Sequence, residues 1–281
     1  MLKGTKSFHK LVKLALAEDL EPAGDLTTHA IIPPDKFSRL VIQARQSGGM
    51  MSGSEFAAGV YDVLGAEVQI DFHKRDGELF YPLEKLATLE GPSRRLLEGE
   101  RLFLNLLQRA ISIATYTAQF VEMVKGCKAK ILDTRKTTPG LRLLERAAVR
   151  DGGGRNHRFN LSSGILIKDN HIAIAGSLEK AIQQAKQFAP QLIKIEVEVD
   201  TIDQLKQALD LGVDAVLLDN FSVENLRQAV DLVQGRAITE ASGGVTLNSV
   251  RLVAECGVDF ISIGSLTQSP PPVDIGMDYG I

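Results

Sequence analysis

Residues Ile131–Ile172 read ILDTRKTTPGLRLLERAAVRDGGGRNHRFNLSSGILIKDNHI, and the rest of the chain is read outward from this stretch. Two strand-like runs each end in a charged cluster, Asp133-Thr134-Arg135-Lys136 and Lys168-Asp169-Asn170-His171. Between them stand Gly152-Gly153-Gly154 and a second basic cluster, Asn156-His157-Arg158. The whole chain has a formal net charge of −3, so this concentration of cations is local. A solvated basic face needs neither strand ends nor a glycine triplet, whereas a pocket for a multiply anionic small molecule makes use of both.

Toward the C-terminus the pattern continues as alternating strand and helix. Strand candidates are Lys130–Asp133, Ile165–Lys168, Ile193–Val199, Ala215–Leu218, Ala237–Glu240 and Phe260–Ile263, the later ones about 22 residues apart. Ser177, Thr201, Ser222 and Thr246 are good N-cap residues and mark helix starts, and Thr201–Gln204 fits a capping box. Repeated βα units with apolar strands imply a parallel sheet. Six strands ending in polar clusters point to an incomplete (β/α) barrel of TIM type, with an open doubly wound sheet as the structural alternative.

Toward the N-terminus the pattern is different. Phe8–Leu20 has helical apolar spacing, and Pro22, Gly24 and Pro33-Pro34 punctuate the loops that follow. Residues 39–90 mix short strands at Leu40–Ile42 and Glu67–Phe72 with a helix at Glu55–Leu64, and Asp76-Gly77 reads as a hairpin turn. Gly91-Pro92 closes this α+β segment. A long helix from about Glu98 to Val124 follows, its apolar residues recurring at helical spacing. The fold class is therefore α/β, an N-terminal α+β sandwich domain followed by the incomplete barrel. The domain limits read as 1–112 and 113–268, with 269–281 as a C-terminal tail packing on the first domain.

Composition removes several function classes. The 281 residues are 44% hydrophobic and 24% charged, as in globular chains that bury a sizeable core. Trp is absent and the charge balance is near neutral, which argues against a nucleic-acid surface. No apolar run approaches the ~18 residues of a membrane span, and the acidic N-terminal segment does not resemble a signal peptide. Cys127 and Cys256, far apart, read as free thiols of a cytoplasmic protein.

In barrels of this kind the active site lies at the C-terminal ends of the strands. Those ends supply cations from the early strands, carboxylates from the middle ones (Glu196, Glu198, Asp219) and glycine turns from the late ones (Ser242-Gly243-Gly244 and Gly264-Ser265). Cations hold carboxylates or diphosphate, carboxylates hold ribose hydroxyls or a metal ion, and glycine turns bring backbone N–H groups close to phosphate. Taken singly, each has a bland reading. Arg135 and Lys136 could be a solvated loop, His157 a structural histidine. Glu196 and Glu198 alternate with Val197 and Val199 and so share one face, where an unpaired carboxylate is costly.

Together these segments resemble the quinolinate phosphoribosyltransferase family. The carriers are AEDL and GDLTT near the start, ERLFLNLLQ at Glu100–Gln108, DTRKTTPGLR at Asp133–Arg142, AVRDGGGRNHR at Ala148–Arg158 and IKDNHI at Ile167–Ile172. EVEVD at Glu196–Asp200, LLDN at Leu217–Asn220, EASGGV at Glu240–Val245 and FISIGSLTQS at Phe260–Ser269 complete the set in order. The resemblance implies transfer of phosphoribose from phosphoribosyl pyrophosphate to quinolinate in NAD biosynthesis, releasing diphosphate and CO2. It implies that Arg101 reaches across a homodimer interface, and that Thr134, Arg135, Lys136, His157, Arg158 and Lys168 surround quinolinate and diphosphate. Glu198 and Asp219 would hold the ribose and a magnesium ion, with Lys136, Glu198 and Asp219 as the catalytic set. Ser242, Gly243, Gly244, Gly264, Ser265 and Leu266 would take the 5-phosphate.

Two departures from the family pattern stand out. Ile111-Ser112 replace a Ser-Gly pair before Ile113, and Gln268 stands where the family often has His. The alternatives are a molybdenum-transport-associated relative of the same superfamily, which shares the TRK, PG and HR elements, and a non-catalytic phosphate-binding barrel. The complete IKDNHI and EVEVD segments favour the quinolinate enzyme, and a scaffold has no need to keep both halves of a two-substrate site.

Overall fold

The computed structural model describes residues 6–45 and 47–280. In chain order its first half contains α1 (Lys6–Leu20), α2 (Leu26–Ile31), β1 (Phe37–Ala44), β2 (Gly49–Met50), α3 (Ser54–Leu64), β3 (Gln69–Phe72), β4 (Leu79–Phe80), β5 (Lys85–Pro92) and α4 (Ser93–Met123). Next come β6 (Lys130–Leu132), α5 (Arg142–Asp151), β7 (Ile165–Ile167), α6 (Asp169–Ala175), α7 (Leu178–Phe188), β8 (Ile195–Val199) and α8 (Ile202–Asp210). The last elements are β9 (Ala215–Asp219), α9 (Val223–Val233), β10 (Ile238–Ser242), α10 (Val250–Ala254), β11 (Phe260–Ser262), α11 (Ser265–Gln268) and β12 (Ile275–Tyr279). The chain forms two compact units. One holds the residues up to Ala118, Thr137–Gly153 and those from Thr267 onward, and the other holds Gln119–Lys136 and Gly154–Leu266. Among the described residues no helix is long and apolar enough to cross a membrane.

The first unit is built on a four-stranded antiparallel sheet in the order β12-β1-β5-β3. Alternation along β1 buries Leu40, Ile42 and Ala44, and α4 contributes Phe103, Leu107 and Ile111 to the same core. Tyr61 and Phe72 flank Phe103 with ring centroids 5.7 and 6.5 Å away. The long helix starts at Ser93, earlier than its apolar spacing indicates, because Gly91 and Pro92 are the last rungs of β5 against Ser38 and Phe37. The turn at Asp76-Gly77 is present, yet it joins no hairpin, since β3 pairs with β5 and β4 pairs with β2.

The chain end is an edge strand of this sheet. Arg45 forms two hydrogen bonds to the Asp278 carboxylate at 2.7 and 2.9 Å, and the Val273 N–H donates to Ser112 Oγ at 3.0 Å. The departure at Ile111-Ser112 thus places Ile111 in the core and gives the tail a buried anchor.

The second unit is a six-stranded all-parallel sheet in the order β6-β11-β10-β9-β8-β7. The first strand of the series, β6, hydrogen-bonds to the last, β11. A sheet that pairs its first and last strands in otherwise sequential order has curled round on itself, which excludes the doubly wound alternative. Closure stops at a seam between β6 and β7, where Arg155 adds one parallel rung beside Leu132. The apolar run of β9 is buried along its length, as strands covered on both faces must be. Ser177, Thr201 and Ser222 cap α7, α8 and α9 through their hydroxyls. Gln204 reaches back to Asp200 N–H at 2.8 Å, one residue short of a regular capping box. Thr246 does not start a helix. It opens a turn closed by Ser249, and α10 begins at Val250.

Ser112→Ala leaves the buried Val273 N–H without its acceptor and should destabilise the protein by ~1–3 kcal/mol. Asp278→Asn breaks a largely solvated ion pair and should cost at most ~1 kcal/mol. Urea unfolding of both variants checks the ranking, and the reverse order would mean that the ion pair holds the tail.

Candidate active site

All the strand ends of the parallel sheet carry polar residues on one side of the second unit. Asp133 follows β6 directly and is fully buried. A buried carboxylate is tolerated only where donors reach it. Asn156 Nδ2 donates to it at 2.6 Å and the His157 N–H at 2.7 Å. Asp133 therefore folds the second basic cluster back onto the first. Sequence reading placed Asp133 in the cluster but gave it no role, because its partners lie more than twenty residues away.

His157 sits among carboxylates. Its Nε2 lies 3.1 Å from Glu196 Oε2 and 3.5 Å from Glu240 Oε2, and its Nδ1 accepts the Arg158 N–H at 2.7 Å. In the neutral ring the proton is therefore on Nε2, shared toward the two glutamates. The three side chains are 15%, 14% and 4% exposed. Burial works against a charge on His157, but the hydrogen bond to Glu196 and the charge of Glu240 outweigh it and raise its pKa. Burial, reinforced by the Glu196 charge, pushes Glu240 up to about 7. Its Oε1 is buried without a hydrogen-bond partner. Among the described residues these three are the group whose ligand atoms gather closely enough, within 4.8 Å, to hold a metal ion. Both His157 nitrogens already have protein partners, so the arrangement reads as a hydrogen-bonded strut under Arg158.

The cations sit around this strut. Lys168 caps α6 and its Nζ pairs with Glu198 Oε2 on the neighbouring strand. Arg158 Nη1 donates to the Gly164 carbonyl at 2.9 Å. Burial first, and the like charge of Arg135 second, lower the Arg158 pKa. Two guanidinium groups are thus held near one another, an arrangement that an anion relieves. Arg135 and Lys136 are exposed, and Thr134 Oγ1 fixes their turn by accepting the Lys136 N–H at 3.1 Å.

The glycine turns follow β10 and β11. A Cβ on Gly243, whose φ is +97°, would come within 2.8 Å of the Asn220 backbone nitrogen. Asn220, itself at φ 55°, donates its N–H to the Ser242 carbonyl at 2.9 Å and its amide to Asp219 at 2.7 Å. Gly264 packs on the Lys136 stem, where a Cβ would sit 2.9 Å from Cδ. Gly244 faces open space. Leu266 is fully buried. Gln268 is exposed on α11.

The second unit thus brings together Thr134, Arg135, Lys136, His157, Arg158, Lys168, Glu198, Asp219 and the two glycine turns. Arg101 belongs to the first unit, where it is exposed on α4. Sequence reasoning left Asp133, Asn156, Asn220 and Glu240 without individual roles. For Glu240 a signal existed, an acid between the small apolar positions of a buried strand.

The raised pKa of Glu240 has a definite consequence. Above its ordinary pKa of 4.5 the unfolded chain releases a proton that the folded protein retains up to about 7. Stability from this group is therefore lost as pH rises through that window, and the raised pKa of His157 acts in the same direction. Glu240→Gln should grow more stable relative to the unmodified protein between pH 4.5 and pH 7. Melting temperatures across that range check it, and a constant difference would refute the linkage.

Comparison with known proteins agrees with this fold. The family model described as quinolinate phosphoribosyl transferase, N-terminal domain, matches residues 25–111, and that of the C-terminal domain matches residues 113–278. A probable nicotinate-nucleotide pyrophosphorylase [carboxylating] of Bacillus subtilis (strain 168) is 42% identical over 269 residues, 96% of this chain and 92% of the relative. The nicotinate-nucleotide pyrophosphorylase [carboxylating] of Mycobacterium leprae (strain TN) is 40% identical, with 95% of each chain covered. The solved nicotinate-nucleotide pyrophosphorylase from Ehrlichia chaffeensis superposes with a TM-score of 0.92 at 40% identity, covering 97% of this chain and 98% of that one. The Francisella tularensis structure gives 0.91 at 36% identity, covering 98% and 96%. With both domains matched in order and relatives 40–42% identical over nearly the whole chain, the chain belongs to the quinolinate phosphoribosyltransferase family.

Proposed function

We propose that the barrel mouth binds quinolinate and phosphoribosyl pyrophosphate side by side and joins them. The observation that carries this reading is the pair of guanidinium groups, Arg135 and Arg158, held close enough for one to depress the pKa of the other, with Lys136 and Lys168 nearby in the same unit. Quinolinate brings two negative charges and phosphoribosyl pyrophosphate several more, so the site must collect cations that would otherwise repel one another. The chain is then a pentosyltransferase of NAD biosynthesis, forming nicotinate mononucleotide, diphosphate and CO2.

Arg135, Arg158 and Lys168 hold the quinolinate carboxylates, and the His157 strut keeps the Arg158 backbone in place. The turns at Ser242-Gly243-Gly244 and Gly264-Ser265-Leu266 offer backbone N–H groups to the 5-phosphate. Lys136 stabilises the charge that develops on the diphosphate oxygen as its bond to ribose C1 breaks. Glu198 and Asp219 face the ribose and support positive charge at C1 while the pyridine nitrogen forms its bond there. The pyridinium ring then accepts the electron pair of the 2-carboxylate as CO2 leaves, and a proton replaces it on the ring.

Two oxygen-donor carboxylates on adjacent strands suit a hard divalent ion that keeps its remaining ligands as water and substrate oxygens. Glu198 and Asp219 are the residues that would hold magnesium, which when bound neutralises charge on the diphosphate. Arg101, exposed on α4, completes the site of a second copy in a homodimer. The two cysteines are free thiols, which suits the cytoplasm.

Purified protein supplied with quinolinate, phosphoribosyl pyrophosphate and Mg2+ should form nicotinate mononucleotide and CO2 in equal amounts. Lys136→Ala should lower kcat/KM by ~100-fold or more with the fold intact. Lack of product from folded protein would overturn the function, and normal turnover of the variant would overturn the role of Lys136. Arg101→Ala mixed with Lys136→Ala should regain part of the activity, because some sites in mixed dimers then contain both residues. Absence of any recovery would count against a shared site.

A further inference from the structure

The Arg109 guanidinium on α4 serves three acceptors. Its Nε and Nη2 donate to Glu145 Oε1 at 3.0 and 2.9 Å, and Nη2 also reaches Thr138 Oγ1 at 3.4 Å and the Thr267 backbone carbonyl. The other Glu145 oxygen accepts the Thr138 N–H at 3.1 Å. Glu145 is fully buried and Arg109 is 26% exposed. All four residues belong to the first unit, and the function above uses none of them. Along the chain, however, they adjoin the site. Thr138 comes two residues after Lys136, and Thr267 directly follows Leu266. Within the second unit the two chain segments meet, where Gly264 packs on Lys136.

A buried ion pair is a poor way to gain stability, because desolvation of both charges offsets most of their attraction. What this pair does provide is geometry. The planar fork of an arginine fixes several acceptors at set angles, which a lysine ammonium does not. Here the acceptors lie on the two segments that leave the Thr134–Lys136 turn and the Gly264–Leu266 turn. We propose that Arg109 and Glu145 are positioning residues, anchoring both exits so that the diphosphate-facing lysine and the phosphate-binding turn keep a fixed spacing. The role rests on the function proposed above.

The test uses Arg109→Lys, which keeps the charge against Glu145, and Glu145→Gln, which keeps one acceptor oxygen. Each should lower kcat/KM for phosphoribosyl pyrophosphate by ~10–100-fold, the scale set by small misplacements of reacting groups. KM for phosphoribosyl pyrophosphate should rise well beyond any change in KM for quinolinate, a split that general loosening of the fold would not produce. Amide hydrogen exchange is read on the same samples. The Thr138 amide should exchange slowly in the unmodified protein and faster in both variants. Kinetics within about twofold of the unmodified enzyme, or fast exchange at Thr138 in the unmodified protein, would overturn the proposal. The exchange measurement needs no substrate, so failure of this network and failure of the proposed function are told apart.

Discussion

Carboxylates on and just after the strands of one parallel sheet impose the constraint that shapes this protein. Asp133, Glu196, Glu198 and Glu240 are all held away from bulk water, and a carboxylate there is stable only beside donors. The placement of the basic residues follows. Asp133 draws in Asn156 and the His157 backbone, Glu196 and Glu240 hold the imidazole, and Glu198 pairs with Lys168. The loop carrying Asn156, His157 and Arg158 spans the seam between β6 and β7, where the barrel lacks a strand pairing. In place of sheet hydrogen bonds, buried acids and one backbone rung at Arg155 fasten it.

This arrangement prepares the site for anions. Asp133 and Glu196 are engaged by Asn156, the His157 N–H and the imidazole, whereas Glu198 pairs with Lys168. Arg135 lowers the Arg158 pKa, a like-charge effect that an anion beside both would relieve. Burial and the Glu196 charge raise the Glu240 pKa to about 7 even though His157 faces it, and one of its oxygens lacks a hydrogen bond.

Rigidity of the turns comes from a different source. Gly243 permits a close approach to Asn220, and Gly264 a close approach to Lys136, so both turns are set by steric limits on Cβ atoms. The Arg109–Glu145 pair holds Thr267, just after the Gly264 turn, and Thr138, just after Lys136. Backbone geometry, with few side-chain hydroxyls, presents the surface that phosphate would meet.

Much of this was legible before any coordinates. Local periodicity marked the βα units, since a strand buried on both faces must be apolar along its length and a helix needs a cap where its first N–H groups lack partners. The clusters at the strand ends stood out because charge at the end of an apolar run has no packing reason to be there. The tertiary structure decided what depended on distant partners. Pairing of β6 with β11 chose a curled sheet over an open one, β5 took up Gly91-Pro92 as strand, and Asp76-Gly77 lost its hairpin because β3 found β5. The roles of Asp133, Glu240 and Arg109 were hidden for the same reason. Each is defined by groups 23 or more residues away in sequence, and no pattern in the neighbouring residues records which buried charge will meet which donor.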